Sequence, residues 1–187
     1  MTSARRYSRW RPRSTARITE TTRLNDLIDI FLQPGEYFVG DDSYQIRTML
    51  GSCVSITLWH PGRRIGAMSH FLLPTRVRTE IGAQALDARY GDEALTLMLA
   101  ELAQSGIQGQ QCQGKIFGGG NMFPRQARPD RMHIGRKNGE AARALLQAHG
   151  IPMISESLFG IGHRQIIFDL TTGDVWSHQI RPVTPPN

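Results

Sequence analysis

Between Val54 and Leu73 two apolar runs are separated by only five residues, His60-Pro61-Gly62-Arg63-Arg64, which leaves this chain few ways to fold. Val54-Ser55-Ile56-Thr57-Leu58-Trp59 alternates apolar and polar side chains and is rich in β-branched residues, which is the period of a strand. Ile65 to Leu73 is the second run, and a Pro-Gly turn between two such patterns dictates an antiparallel hairpin. With Pro61 and Gly62 at the centre of a two-residue turn, His60 pairs with Arg63. Counting outward then sets Cys53 opposite His70.

The remaining patterns extend this hairpin into a sheet. Leu24, Leu27, Ile28 and Phe31 recur at helical spacing and predict a short amphipathic segment that ends at Pro34-Gly35. Glu36 to Val39 and Gln45 to Leu50 read as strands on either side of an Asp41-Asp42 turn. From Asp92 to Ser105 the positions Ala94, Leu95, Met98 and Leu102 form one apolar stripe, with Gly106 as the C-terminal cap. A second helix is expected from Asn138, a good N-cap, to His149, stopping at Gly150. Between the helices, "KIFGGGNMFP" is a strand entering a glycine-rich turn. Pro152 to Ser157, Arg164 to Leu170 and Val175 to Ile180 are further strands, the last two joined as a hairpin by Thr171-Thr172-Gly173-Asp174. Strands outnumber helices without alternating with them, so the fold class is α+β: one mixed domain, a largely antiparallel β core flanked by two main helices.

Charge narrows the function. The formal net charge is +6, but residues 1–23 hold seven arginines against Glu20 alone, and residues 24–187 balance 15 basic against 15 acidic side chains. The basicity therefore belongs to a Ser/Thr/Arg-rich tail, residues 1–23, expected to be disordered, and residues 24–187 form the domain. A neutral domain without a basic stripe or an aromatic-rich recognition motif argues against nucleic acid as a partner. No apolar run is long enough to span a bilayer, and the N-terminus lacks the apolar core of a signal peptide. Two cysteines, Cys53 and Cys112, are too few for a disulfide framework, and no Cys/His cluster has metal-ligand spacing. The expectation is a cytoplasmic protein with free thiols, no metal and no cofactor.

Cys53 and His70 are the residues with chemical potential. Opposed residues in an antiparallel pair share a face with Cβ atoms about 4.5–5.5 Å apart, within reach of a thiol–imidazole contact. A free thiol titrates near about 8.5, and an imidazolium beside it stabilises the thiolate and lowers that value. The same histidine can protonate a leaving amine. Gly51 and Ser52, just before the cysteine, let the backbone turn tightly and aim N–H groups at a developing oxyanion. Such a cysteine-hydrolase-like site suits acyl transfer from amides or esters. The plain alternative is that Cys53 is a small buried residue at a strand start, a common place for cysteine. Gly118-Gly119-Gly120-Asn121 lacks the Lys-Ser/Thr of a phosphate loop and reads as a turn packed near the site, with Asn121 a candidate to orient the imidazole. The other histidines are dispersed, and Cys112, between glutamines, reads as structural.

"TMLGSCVSITLWHP" followed by "GAMSHFLLP" resembles the signature of the chemoreceptor glutamine deamidases, the CheD family, roughly T-x-LGSCV, a strand, a turn, then GGM-x-H-x-x-LP. "FLQPGEYFV", "RYGDEALTLMLAEL", "KIFGGGNMF", "IGRKNGEAARALLQAHGIPMISESL" and "HRQIIFDLTTGDVW" are similar to family segments in the same order. The likeness runs from about residue 30 to 181 and leaves out the arginine-rich tail. Carried over by position, it implies Cys53 as nucleophile, His70 as general acid/base and Thr48 in a supporting role. Ala67 stands where the family has glycine, and Phe159 stands in a Gly-Gly position before Gly160. The resemblance implies a protein-glutamine glutaminase that turns receptor glutamines into glutamates and so tunes chemotactic adaptation. Its implied partners are methyl-accepting chemotaxis receptors, as substrate, and a CheC-like phosphatase. The competing expectation is an adaptor of the same fold that docks on receptors or on the CheC-like protein without catalysis.

Overall fold

The computed structural model of the protein describes residues 23–24, 27–76, 85–122 and 129–181. The segment expected to be a disordered tail lies outside the described residues, apart from Arg23. In chain order the strands are β1 (Arg23–Leu24), β2 (Leu27–Phe31), β3 (Tyr37–Gly40), β4 (Tyr44–Leu50), β5 (Val54–His60), β6 (Ile65–Ser69), β7 (Gln113–Gly118), β8 (Met153–Leu158), β9 (His163–Asp169) and β10 (Val175–Ile180). Helix α1 (Gly91–Gln104) follows β6, and α2 (Pro129–Ala148) follows β7. The strands form two five-stranded sheets, ordered β1-β2-β4-β9-β10 and β3-β6-β5-β7-β8. Pairing is antiparallel except at β2–β4 and β7–β8. The α+β architecture read from the sequence is the one observed.

Both faces of the second sheet are covered. Helices α1 and α2 pack on one face, where Val54, Ile56, Leu58, Leu95, Met98, Ile116 and Leu146 form one apolar cluster. The first sheet covers the other, where Ile30, Ile46, Leu50, Phe38, Met68, Phe117, Ile166 and Phe168 form a second. This double burial is why the four residues of β3 are all buried. It also changes the meaning of the alternation in β5, whose polar members Ser55 and Thr57 lie under the first sheet and not in water. Thr57 satisfies its hydroxyl by donating to the Lys115 carbonyl, as a buried polar group requires.

Three local expectations are corrected. Leu27 to Phe31 is a strand and not part of a helix, because Ile28, Ile30 and Leu32 also alternate and the backbone pairs in parallel with β4. The β5–β6 hairpin has a four-residue turn, with Arg64 in the left-handed region at φ 48°, so His60 pairs with Ile65 and not with Arg63. The register that pairs Val54 with Phe71 brings Leu72, and not His70, opposite Cys53, a displacement of two positions. A two-residue shift preserves the face, because side-chain direction repeats every two residues. Finally, α2 starts nine residues before Asn138, which sits inside the helix. Gly135 and Gly139 weaken the helical pattern there but allow close packing: a Cβ on Gly135 would lie 2.6 Å from the Gly119 carbonyl oxygen.

Candidate active site

Gly51, Ser52 and Cys53 form the corner by which the chain crosses from β4 in one sheet to β5 in the other. Cys53 shares its facing with Ser55 and Thr57, toward the first sheet, and packs at the margin of the intersheet cluster. His70, two residues after Met68, faces the same layer from the end of β6, and Thr48 faces it from β4 between Ile46 and Leu50. Two sheets and three strand ends thus bring the three residues to one end of the intersheet layer. His70 and Thr48 are buried, and Cys53 is half-buried.

Hydrogen bonding decides the state of the imidazole. The Thr48 hydroxyl donates to the Leu32 carbonyl at 2.7 Å and lies 2.8 Å from His70 Nδ1. A hydroxyl has one proton, and a carbonyl only accepts, so the second contact is an Nδ1–H donating to Thr48 Oγ1. His70 is therefore the Nδ1–H tautomer, with the Nε2 lone pair free to take a proton. The backbone of His70 is equally fixed, its N–H donating to the Glu36 carbonyl and its carbonyl accepting from Gly35. Thr48 thus orients the imidazole through Nδ1.

The charge state differs from the ion pair expected of a thiol beside an imidazolium. Burial lowers the His70 pKa to about 4, with a smaller opposing effect from the Leu32 carbonyl. Burial pushes the Cys53 thiol up, opposed in part by its own backbone N–H. No hydrogen bond joins Cys53 to His70. Both shifts run against an ion pair: burial favours the uncharged thiol at Cys53 and the uncharged imidazole at His70. Cys112 is buried, its thiol pushed up to about 11 and its sulfur 3.8 Å from the Gln108 carbonyl, in keeping with a structural residue.

The glycine-rich turn packs directly on the Cys53 corner. Gly119 N–H donates to the Cys53 carbonyl at 2.8 Å and Gly120 N–H to the Gly51 carbonyl at 2.7 Å. A Cβ on Gly118, whose φ is 116°, would sit 2.3 Å from the Cys53 carbonyl oxygen, so only glycine fits. Phe159 adopts φ 66°, unusual for a bulky residue. It is held there by its N–H donating to Gly118 and by Arg164, which donates to both the Gly118 and the Phe159 carbonyls. Among the described residues the N–H groups of Ser52 and Cys53 donate to no acceptor. Asn138, which donates to the Ser52 carbonyl, and Arg164 hold this frame together, and neither was identified as a site residue from the sequence. The only signal for Asn138 was a polar residue close to α2 glycines.

Residues 72–179 match the model of the family described as CheD, chemotactic sensory transduction. The chain is 70% identical over 156 residues to a protein of Albidiferax ferrireducens named probable chemoreceptor glutamine deamidase CheD 2, covering 83% of this chain and 90% of the relative. It is 44% identical to the probable chemoreceptor glutamine deamidase CheD of Pseudomonas savastanoi pv. phaseolicola, over 79% of this chain and 82% of the relative. It is 43% identical to the CheD 3 protein of Dechloromonas aromatica, over 81% of this chain and 88% of the relative. With a family match over more than half its length and a relative this similar along most of both chains, the chain belongs to the CheD family.

Proposed function

We propose that the protein is a cysteine-dependent protein-glutamine deamidase of chemoreceptors, the activity named for its relatives, with Cys53, His70 and Thr48 as its working residues. The observation that carries the reading is the buried Thr48–His70 hydrogen bond, which leaves Nε2 as a base in the layer that Cys53 faces. In the reaction, Nε2 takes the thiol proton as Cys53 Sγ attacks the carboxamide carbon of a receptor glutamine. The N–H groups of Ser52 and Cys53 face the oxyanion. His70 returns the proton to the departing ammonia, leaving a thioester on Cys53. Water, deprotonated by His70, then cleaves the thioester to give glutamate and the free thiol.

With burial favouring the uncharged thiol and imidazole, the proton moves during attack and the general base contributes to the barrier itself. The substrate is the cytoplasmic domain of a methyl-accepting receptor, which places the reaction in the cytoplasm, and a CheC-like phosphatase is the regulatory partner. No helix among the described residues is long and apolar enough to cross a membrane. The test is to incubate the protein with receptor cytoplasmic fragments, measure ammonia and map Gln-to-Glu conversion by mass. Cys53→Ser and His70→Ala should each lower kcat on the order of 10³-fold or more while staying folded. Thr48→Val, which frees the tautomer, should lower kcat with KM little changed, and Thr48→Ser should restore it. Ammonia release at the wild-type rate from folded Cys53→Ser would refute the mechanism.

A further inference from the structure

Asn138 lies in the interior of α2, where asparagine is a poor choice for the helix, and none of its surface is exposed. Its Nδ2 donates to the Ser52 carbonyl at 3.0 Å and to the Leu72 carbonyl at 2.8 Å. Both acceptors are carbonyls, so the group facing them is the NH2, and both of its protons are used. Its Oδ1 accepts no hydrogen bond. A buried amide that leaves its oxygen unpaired in order to hold two backbone carbonyls occupies this position for those two bonds.

The two carbonyls mark the place where the hairpin ladder ends. Val54 and Phe71 exchange both backbone hydrogen bonds, at 3.1 and 3.0 Å. Beyond them the strands part, because the N–H groups of Leu72 and Leu73 both turn to the Arg89 carbonyl. Asn138 fills the opening and ties the strand that carries Cys53 to the strand that carries His70. The Ser52 carbonyl and the Cys53 N–H belong to one peptide unit, and no peptide bond among the described residues is cis. In a trans peptide the C=O and N–H point in opposite directions. Drawing the Ser52 oxygen toward α2 therefore turns the Cys53 N–H away from α2, and that N–H has no acceptor among the described residues.

We propose that Asn138 is the positioning residue for the oxyanion donor of this site: by anchoring the Ser52 carbonyl, it aims the Cys53 N–H at the oxygen of the acyl group that Cys53 Sγ attacks. The opposing influence of the Cys53 N–H on its own thiol agrees with that direction. The inference rests on Cys53 being an acyl-transfer nucleophile, and its test does not use a receptor.

Two reactions at one sulfur separate oxyanion stabilisation from thiol reactivity. With p-nitrophenyl acetate, Sγ attacks the ester carbon, the carbonyl oxygen becomes an oxyanion, and p-nitrophenolate leaves. With iodoacetamide, Sγ displaces iodide from a methylene carbon and no oxyanion forms. In Asn138→Ala the acylation rate of Cys53 should fall on the order of 10²-fold, while the alkylation rate changes less than about twofold and its pH midpoint stays in place. Asn138→Asp keeps the volume if the alanine variant does not fold. Its protonated carboxyl can serve one carbonyl and its carboxylate neither, so its acylation-to-alkylation ratio should fall further as pH rises, a dependence absent from the wild type. A ratio within about threefold of wild type in either folded variant, or equal losses in both reactions, would overturn the proposal. Failure of wild-type Cys53 to acylate would overturn it together with the nucleophile assignment. Normal acylation by a protein that leaves receptor glutamines intact would count against the receptor reading alone.

Discussion

At His70 burial and hydrogen bonding act on one ring, and the result should be visible in stability as well as in catalysis. The folded-state pKa is about 4 and the ordinary value 6.5, so between these pH values the unfolded chain binds a proton that the folded chain refuses. Stability from this group is complete above pH 6.5 and is lost as pH falls toward 4, by roughly 3 kcal/mol across the whole window. Urea unfolding at pH 6.5 and pH 5 should show about 2 kcal/mol more destabilisation in the wild type than in His70→Asn. Equal pH slopes for the two proteins would mean that His70 is not buried neutral. Cys53 and His70 were legible in the sequence because the observed four-residue turn differs from the expected two-residue one by an even number, which keeps both side chains on one face. Asn138 was misread as a cap because capping is judged from neighbours in the chain, whereas its partners lie 86 and 66 residues away.

Among the elements, α2 shows how glycine can serve packing at the expense of helix propensity. In an exposed helix Gly→Ala stabilises by about 1 kcal/mol. At Gly135 the added Cβ would press on the Gly119 backbone at 2.6 Å, so Gly135→Ala should destabilise and push the glycine-rich turn off the Cys53 corner, lowering kcat. Gly106→Ala is the contrast: φ is 70° with nothing within 4 Å, so the cost is backbone strain of about 1 kcal/mol at the end of α1, with kcat unchanged. Thermal melts and deamidation rates of the two variants check this, and equal behaviour would refute the packing argument. Helix α1 was readable almost to the residue because its stripe, acidic first turn and glycine stop are local. Helix α2 was shortened and β2 misassigned, since close approach to another backbone and parallel pairing with β4 are decided by distant segments.

Across the molecule, the site depends on how the two sheets are held together at one end. Arg164 reaches from β9 in the first sheet to the Gly118 carbonyl in the second and to Phe159 beyond it. Its guanidinium is buried, which lowers its pKa, so removing it relieves desolvation while releasing the loop. Arg164→Met should therefore melt within a few degrees of wild type while kcat falls on the order of tenfold to a hundredfold, as the Cys53 corner loses its outer support. A large drop in melting temperature with kcat intact would assign Arg164 to stability alone. The sequence by itself determined the α+β class, the hairpin, the strands of the second half and the Cys53–His70 facing, because periods of 2 and 3.6 and Gly/Pro turns act through adjacent residues. Only the tertiary structure decided that the sheets stack, that the polar face of β5 is buried and that Thr48 sets the tautomer of His70. It alone set the directions of the Cys53 and His70 shifts, because solvation and long-range hydrogen bonds depend on which segments meet in space.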